Sequence, residues 1–201
     1  MSNVAEIITA GAAVAGAIAA WEGLSAWKKQ LHGNTDHDIA WKYLEAVLKL
    51  RNAINKTVRN PGIDLSEFKS ASEEFYGENL ESEMKQNPRS AEMIAVYSIR
   101  WREVNKARQA LDDAIVQAEI WWGQKVVGLE KELNACIGEL FVNLKNMLNP
   151  DRGLTYNHRT IYYIEGDDNQ FDKDLENAVK KMEDFARLYL RDSESEASSK
   201  K

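Results

Sequence analysis

The most regular pattern of apolar positions lies between Ser90 and Met147, where residues on one face recur at alternating steps of three and four. This spacing is typical of an α-helix that packs against other helices, as in a coiled coil. Gly123 and Gly128 interrupt the pattern, and glycine weakens a helix interior. The pattern predicts either one very long helix or two helices joined at a kink, with a seam that includes Trp101, Arg108, Leu111, Trp122, Leu133 and Leu140.

Arg108 is the one charged residue in this seam. A buried arginine needs a carboxylate or carbonyl partner, and a polar seam residue of that kind often fixes helix register or oligomeric state. Alternatively, Arg108 lies at the edge of the seam and its guanidinium reaches solvent. Both interpretations are open from the sequence.

Three further helices follow from local start signals. Thr35 begins a capping-box pattern, and helical periodicity continues from there until Asn60 and Pro61. Asp64 precedes a short helix, and Asn169 precedes a last one. These signals predict a body made mainly of helices.

Two segments depart from this helical pattern. The run from Thr160 to Ile164 is rich in strand-forming residues, but no second run of this kind exists to pair with it. Residues 192–201 are mostly serine, glutamate and lysine, which predicts a disordered tail. We therefore expect an all-α fold: a membrane helix and flank in residues 1–33, an elongated antiparallel helical bundle with a short isolated strand-like segment in 34–191, and the tail.

The N-terminal segment has a different character. Fifteen uncharged residues separate Glu6 from Glu22, and most of them are alanine or glycine. A full membrane span needs about 20 apolar residues, which this segment reaches only if both glutamates lie near the headgroups. Its small residues would let two such helices approach closely. The segment predicts a membrane helix containing Ile7, Ile8, Gly11, Val14, Gly16, Ile18 and Trp21.

The residues after this segment indicate an orientation. Trp27 occupies the position of an interfacial aromatic residue, and Lys28 and Lys29 follow it. Lysine near a span favours the cytoplasmic side, so we expect the N-terminus outside and the body in the cytoplasm. Two alternatives remain: an alanine-rich helix buried in a soluble protein, and a cleaved signal, which the acidic start of the chain disfavours.

Composition limits the chemistry that we expect. The chain is 44% hydrophobic with a net charge of −6, which supports a packed core and offers no basic block for nucleic acid. Cys136 is the only cysteine, and it is expected to be a small buried residue. The three histidines, His32, His37 and His158, lack the spacing of a metal site. We therefore expect no catalytic set, no metal, no cofactor and no small-molecule substrate.

Parts of the body resemble a group of small bacterial membrane-anchored proteins of unknown function. The similarity lies in Trp27-Lys-Lys-x-Leu-x-Gly33, in Leu44-x-Ala-Val-x-Lys-Leu-Arg-x-Ala-Ile54 and in Val58-Arg-Asn-Pro61. This resemblance implies bacterial origin and attachment to the inner membrane by a single span, but no activity. The N-terminal segment also resembles the pore-forming helix of actinoporins in composition, although those proteins are β-sandwiches.

These expectations support three functional hypotheses. The first is a non-enzymatic, membrane-anchored scaffold whose partners are the lipid bilayer and either a second copy or another helical protein. The second is a pore-forming or membrane-perturbing effector, used in bacterial defence, in which the N-terminal helix inserts. The third is an enzyme whose site is assembled from distant residues.

Overall fold

The computed structural model describes Trp21 and residues 35–82, 88–149, 153–164, 166 and 168–198. Helix α1 spans residues 35–52 and continues as a π-helical turn over Ala53–Val58. The later helices are α2 (Leu65–Tyr76), α3 (Pro88–Trp122), α4 (Glu130–Leu148), α5 (His158–Ile161) and α6 (Gln170–Ser198). The described residues contain no strand, so the prediction of an all-α fold is confirmed.

Helix α1 lies antiparallel to both α3 and α6. Its beginning meets the end of α3, where the Trp122 indole donates to Asp36 Oδ1 at 3.1 Å. Its far end meets the beginning of α6, where Arg59 forms an ion pair with Asp172. These contacts fix the direction of three of the four long helices.

Helix α4 completes the bundle by running antiparallel to α3 and α6. The Phe141 and Trp101 rings lie 5.1 Å apart across α3 and α4, and Lys181 Nζ binds Glu132 Oε1 at 2.6 Å across α6 and α4. Helices α1, α3, α4 and α6 therefore form an up-down-up-down bundle. All four supply its core, which includes Tyr43, Val47, Leu50, Val104, Leu111, Leu133, Leu140, Leu175 and Met182.

Helix α2 packs outside the bundle against the first half of α3. The contact is a small second core around Ala71, Ala95 and Val96. The Asp64 carboxylate accepts from the Glu67 backbone N–H at 2.8 Å, so the predicted cap of this helix is confirmed.

The predicted seam is divided between two helices. A 3₁₀ turn over Gly123–Lys125 separates α3 from α4, and Gly123 and Gly128 have φ values of +70° and +123°. Residues other than glycine rarely adopt such φ values, so these two glycines permit the chain to reverse its direction. Both halves of the seam then face the same core, in which Leu111, Leu133 and Leu140 are buried.

Arg108 does not belong to the core. Its side chain is exposed, whereas Val104, Ala107 and Leu111 turn toward the core. The spacing from Val104 through Ala107 to Leu111 continues the helix face without Arg108. The hypothesis of an arginine paired inside the seam is therefore wrong for Arg108, and its guanidinium lies in solvent.

The predicted strand-like segment is also wrong. Thr160 and Ile161 are buried in the short helix α5, which begins where Asn157 Oδ1 accepts from the Arg159 backbone N–H at 3.0 Å. A single strand would leave its backbone N–H and C=O groups without partners. The Asn157 cap instead stabilises a helical turn.

The last helix begins as expected and extends further. Asn169 Oδ1 accepts from the Phe171 backbone N–H at 3.1 Å. Helix α6 then continues to Ser198, into residues for which composition predicts disorder. Helix propagation adds a hydrogen bond for each residue fixed, so a long preceding helix favours this extension.

Candidate functional site: the aromatic end of the bundle

Trp122 is the centre of a cluster of rings at the end of the bundle where α1 begins. Its indole stacks on Tyr189 with ring centroids 4.1 Å apart and planes within 12°. It also meets the edges of Tyr43 at 6.3 Å and Phe185 at 5.7 Å. The two edge contacts are a favourable arrangement of aromatic rings. Trp122 thereby joins α1, α3 and α6, and we call this region the aromatic end.

Large apolar side chains are exposed beside this cluster. Ile120 and Trp121 immediately precede Trp122, and they are 76% and 46% exposed. Trp41, two residues before Tyr43, and Leu188, one before Tyr189, are each 58% exposed. Single exposed apolar residues are ordinary, but several large ones at one end of a domain often mark an interaction surface. We call these four residues the apolar rim.

The predicted membrane segment precedes α1 in the sequence, and the described part of α1 begins at this end. Residue 35 is the first described residue of α1, and Asp36 contacts Trp122. Trp21 is the one predicted membrane residue that the structure describes, and its side chain is 75% exposed. The other predicted membrane and flank residues lie outside the described ranges: Ile7, Ile8, Gly11, Val14, Gly16, Ile18, Trp27, Lys28 and Lys29.

Within the described part of the chain, none of the helices combines the length and apolar character needed to cross a bilayer. The seam residues Trp101 and Trp122 are partly buried and contact the core inside one chain. They therefore act in holding this bundle together.

The opposite end of the bundle is organised around Arg59, which is fully buried. Its guanidinium donates to the Thr160 carbonyl at 2.7 Å, to the Arg159 carbonyl at 2.8 Å and to Asn55 Oδ1 at 3.0 Å. Asp172 neutralises its charge by a direct ion pair. A buried guanidinium with its donors satisfied in this way is a structural clamp between α1, α5 and α6.

Two aromatic rings also lie against the Arg59 guanidinium. The Arg59 guanidinium carbon lies 4.6 Å from the centroid of Phe171 and 5.5 Å from that of Tyr163. The Tyr163 backbone N–H also donates to the Arg59 carbonyl at 2.8 Å. Asp172 therefore binds Arg59, although Asp172 lies three residues after Asn169, which is the spacing of a capping box.

Arg100 in α3 binds the loop between α1 and α2, which begins at Arg59. Its guanidinium binds both Glu67 oxygens, at 2.6 and 2.8 Å, and donates to the carbonyls of Asn60 and Gly62 at 2.6 and 2.7 Å. The loop between α1 and α2 is thus fixed to α3. Sequence reasoning missed both buried arginines, because their partners lie far away along the chain and no local pattern distinguishes them from exposed arginines.

Cys136 and two of the three histidines, His37 and His158, lie within the described ranges. Cys136 is buried as expected, and burial, with the nearby Asp174, raises the pKa of its thiol to about 11. The thiol is therefore protonated at neutral pH. His158 packs between the Tyr156 and Tyr162 rings. No cluster of three His, Cys, Asp or Glu side chains able to hold a metal occurs among these residues.

A polar groove between α4 and α6 contains several carboxylates around Cys136. Glu132 binds Lys181, while Glu139 accepts from the Thr160 hydroxyl at 3.1 Å. Asp174 accepts from the Gln170 amide at 2.8 Å. These three carboxylates are exposed, and each binds a different partner. They therefore form a solvated polar surface.

Comparison of the chain with protein-family models, with curated proteins and with solved structures finds no match in any of the three. The resemblance to bacterial membrane-anchored proteins thus stays an expectation from the sequence. The functional proposal depends on the chemistry of the chain itself.

Proposed function

We propose that this protein is a non-enzymatic, membrane-associated interaction protein. In this proposal its N-terminal apolar segment enters a lipid bilayer, and the aromatic end of the bundle lies against the headgroup region. The rest of the bundle projects from the surface and contacts a second copy or another helical protein. Lys28 and Lys29 favour a cytoplasmic bundle at the bacterial inner membrane, with the N-terminus outside.

The apolar rim is the observation that supports this proposal most strongly. It exposes two tryptophans at the end where the described part of α1 begins, and α1 follows the apolar segment in the sequence. Tryptophan is enriched at membrane–water interfaces because its ring is largely apolar and its indole N–H can still donate a hydrogen bond. A bundle seated at this end would shield the rim from water.

Vesicle binding of the full chain tests the proposal. Val14→Asp places a charge in the apolar segment, and charged residues near a membrane midplane cost about 2.5–3.5 kcal/mol on insertion scales. We expect the fraction that sediments with vesicles to fall by at least about tenfold, since 1.4 kcal/mol corresponds to that factor. Unchanged sedimentation would contradict insertion of the segment.

A second comparison tests the rim itself. The double variant Trp41→Ser/Trp121→Ser removes exposed rings from the aromatic end, and Leu154→Ser/Ile164→Ser removes exposed apolar groups elsewhere. We expect the first pair to weaken vesicle binding about tenfold and the second to leave it unchanged. Equal losses would show that general surface hydrophobicity, and not the aromatic end, drives binding.

A pore-forming function is the second candidate, and the small-residue pairs of the N-terminal segment favour it. Gly16 is four residues from Ala12 and from Ala20, a spacing that permits close helix association in a bilayer. Release of a trapped dye from vesicles distinguishes the two functions. An interaction protein leaves the vesicles intact, whereas a pore former empties them, and Gly16→Leu should then slow the release.

A further inference from the structure

The outer face of α3 continues the apolar rim along the side of the bundle. Val116 is 57% exposed and lies four residues before Ile120, which is 76% exposed, so the two side chains share one face of the helix. Gln117 is the exposed residue between them, and it is uncharged. Asp112 and Asp113 are exposed one turn further from the aromatic end, and they terminate the apolar stretch.

Helix α6 is polar at the same height. It lies across the bundle from α3, with α1 and α4 between them. Trp122 stacks on Tyr189, and α3 and α6 run in the same direction, so heights on both helices can be measured from this ring pair. In the five residues before Tyr189 the exposed side chains are Asp184, Arg187 and the rim residue Leu188. The two sides of the bundle therefore differ in polarity near the aromatic end.

The length of the apolar stretch on α3 matches the depth of a membrane interface. Val116 lies about 6 Å from Ile120 and about 9 Å from Trp122 along the helix axis, at 1.5 Å per residue. Interfacial helices bury their apolar face about 5–10 Å into the boundary between headgroups and acyl chains. Glu119 flanks the stretch and is half-buried, so its carboxylate would lie among the headgroups.

We propose that the bundle meets the lipid surface inclined toward α3, so that Val116 and Ile120 enter the headgroup boundary while Asp184 and Arg187 stay in water. This inference rests on the membrane contact proposed above and specifies the side face that takes part in it. A bilayer fits this face because the described part of α1 begins at the same end, and residues 1–34, with their uncharged segment, precede it in the sequence.

A fluorophore attached to Val116→Cys or to Asp184→Cys compares the two sides of the bundle at one height. Cys136 is buried, so labelling selects the introduced thiol. The full chain is bound to vesicles of phosphatidylcholine and phosphatidylglycerol with brominated acyl chains. We expect loss of fluorescence at position 116 and none at position 184. Equal quenching at both positions, or quenching at neither, would overturn the inclination and leave the membrane association itself standing.

The same label without vesicles tests the other occupant that this face could take. If a second copy covered it, emission from position 116 would shift to the blue as the protein concentration rose, and this result would overturn the proposal. We expect emission that does not depend on concentration, because the face is then exposed to water.

Paired substitutions on α3 measure the contribution of this face. Val116→Glu and Gln109→Glu each add one negative charge to the exposed surface, and Gln109 lies about 10 Å further from the aromatic end. We expect Val116→Glu to raise the lipid concentration for half-maximal sedimentation about tenfold and Gln109→Glu to leave it unchanged. Both side chains are exposed, so the variants should fold, and melting curves check this. Equal effects would contradict the inclined contact, whereas no sedimentation of the unsubstituted chain would overturn the proposed function together with this inference.

Discussion

At one end of the four-helix bundle Trp122 packs against three aromatic rings, whereas at the other Arg59 is enclosed by backbone carbonyls, Asp172 and two rings. The first end joins α1, α3 and α6 through ring contacts and leaves large apolar neighbours exposed. The second joins α1, α5 and α6 through directional bonds to one buried cation. The same bundle thus closes its two ends by different physical means.

The difference separates a surface suited to binding from one suited to holding the fold. Ring packing stabilises the first end by burying apolar area, and the large apolar residues beside the rings stay exposed, where a partner or a bilayer can contact them. A buried guanidinium tolerates little change, because removal of one partner leaves desolvated charges and carbonyls. We therefore expect substitutions at the arginine clamp to affect stability most, and substitutions at the rim to affect binding.

The largest effect should come from Arg59→Ala. The change strands Asp172 and the carbonyls of Arg159 and Thr160, and breaking a buried ion pair typically costs about 3–5 kcal/mol. Arg108→Ala is the matched control, because Arg108 is exposed, and it should cost less than about 0.5 kcal/mol. Urea denaturation measures both values. Similar losses would show that the clamp contributes no more than an exposed arginine.

Two arginines of α3, one buried and one exposed, test the effect of burial on stability in the same way. Arg100 is buried against Glu67 and two carbonyls, while Arg102 pairs with Glu74 at the surface. Arg100→Ala should lower the free energy of unfolding by about 2–4 kcal/mol. Arg102→Ala should lower it by less than about 1 kcal/mol, since exposed ion pairs contribute little. The reverse order in urea denaturation would refute the importance of burial here.

At the aromatic end, Trp122→Ala should cost about 2–3 kcal/mol, less than a fully buried tryptophan because Trp122 is only partly buried. The loss combines the ring contacts with Tyr43, Phe185 and Tyr189 and the bond to Asp36. Thermal and urea unfolding both report it. A loss below about 1 kcal/mol would mean that the cluster does not hold this end together.

The smallest effect on stability should come from the rim. Trp41→Ser and Trp121→Ser change exposed side chains, and each should alter the free energy of unfolding by no more than about 0.5 kcal/mol. Their expected effect is on vesicle binding instead. A large loss of stability in either variant would indicate that the rim belongs to the core of the bundle.

Local signals in the sequence predicted the helices well. Asp64 and Asn169 cap helices as their positions indicate, and the buried positions of Leu111, Leu133 and Leu140 follow from helical spacing. These features depend on neighbours within one or two turns.

The features that the sequence did not reveal depend on long-range contacts. Arg59 and Asp172 are 113 residues apart, and nothing near Arg59 distinguishes it from Arg108. Thr160 has high strand propensity, but it lies in a capped helical turn whose carbonyl binds Arg59. Candidate binding residues such as Trp41 and Ile120 were likewise missed, because helical spacing does not show which end of a bundle exposes them.

Attachment of an environment-sensitive fluorophore to Ile120→Cys or to Ile164→Cys compares the two ends on a membrane directly. Ile120 belongs to the apolar rim, whereas Ile164 follows the arginine clamp and is also exposed. Cys136 is buried with a raised pKa, so labelling at neutral pH selects the introduced thiol. With anionic vesicles the account predicts a blue shift and quenching by brominated lipid at position 120 and neither at position 164. Equal responses, or a response at position 164 alone, would contradict membrane contact through the aromatic end.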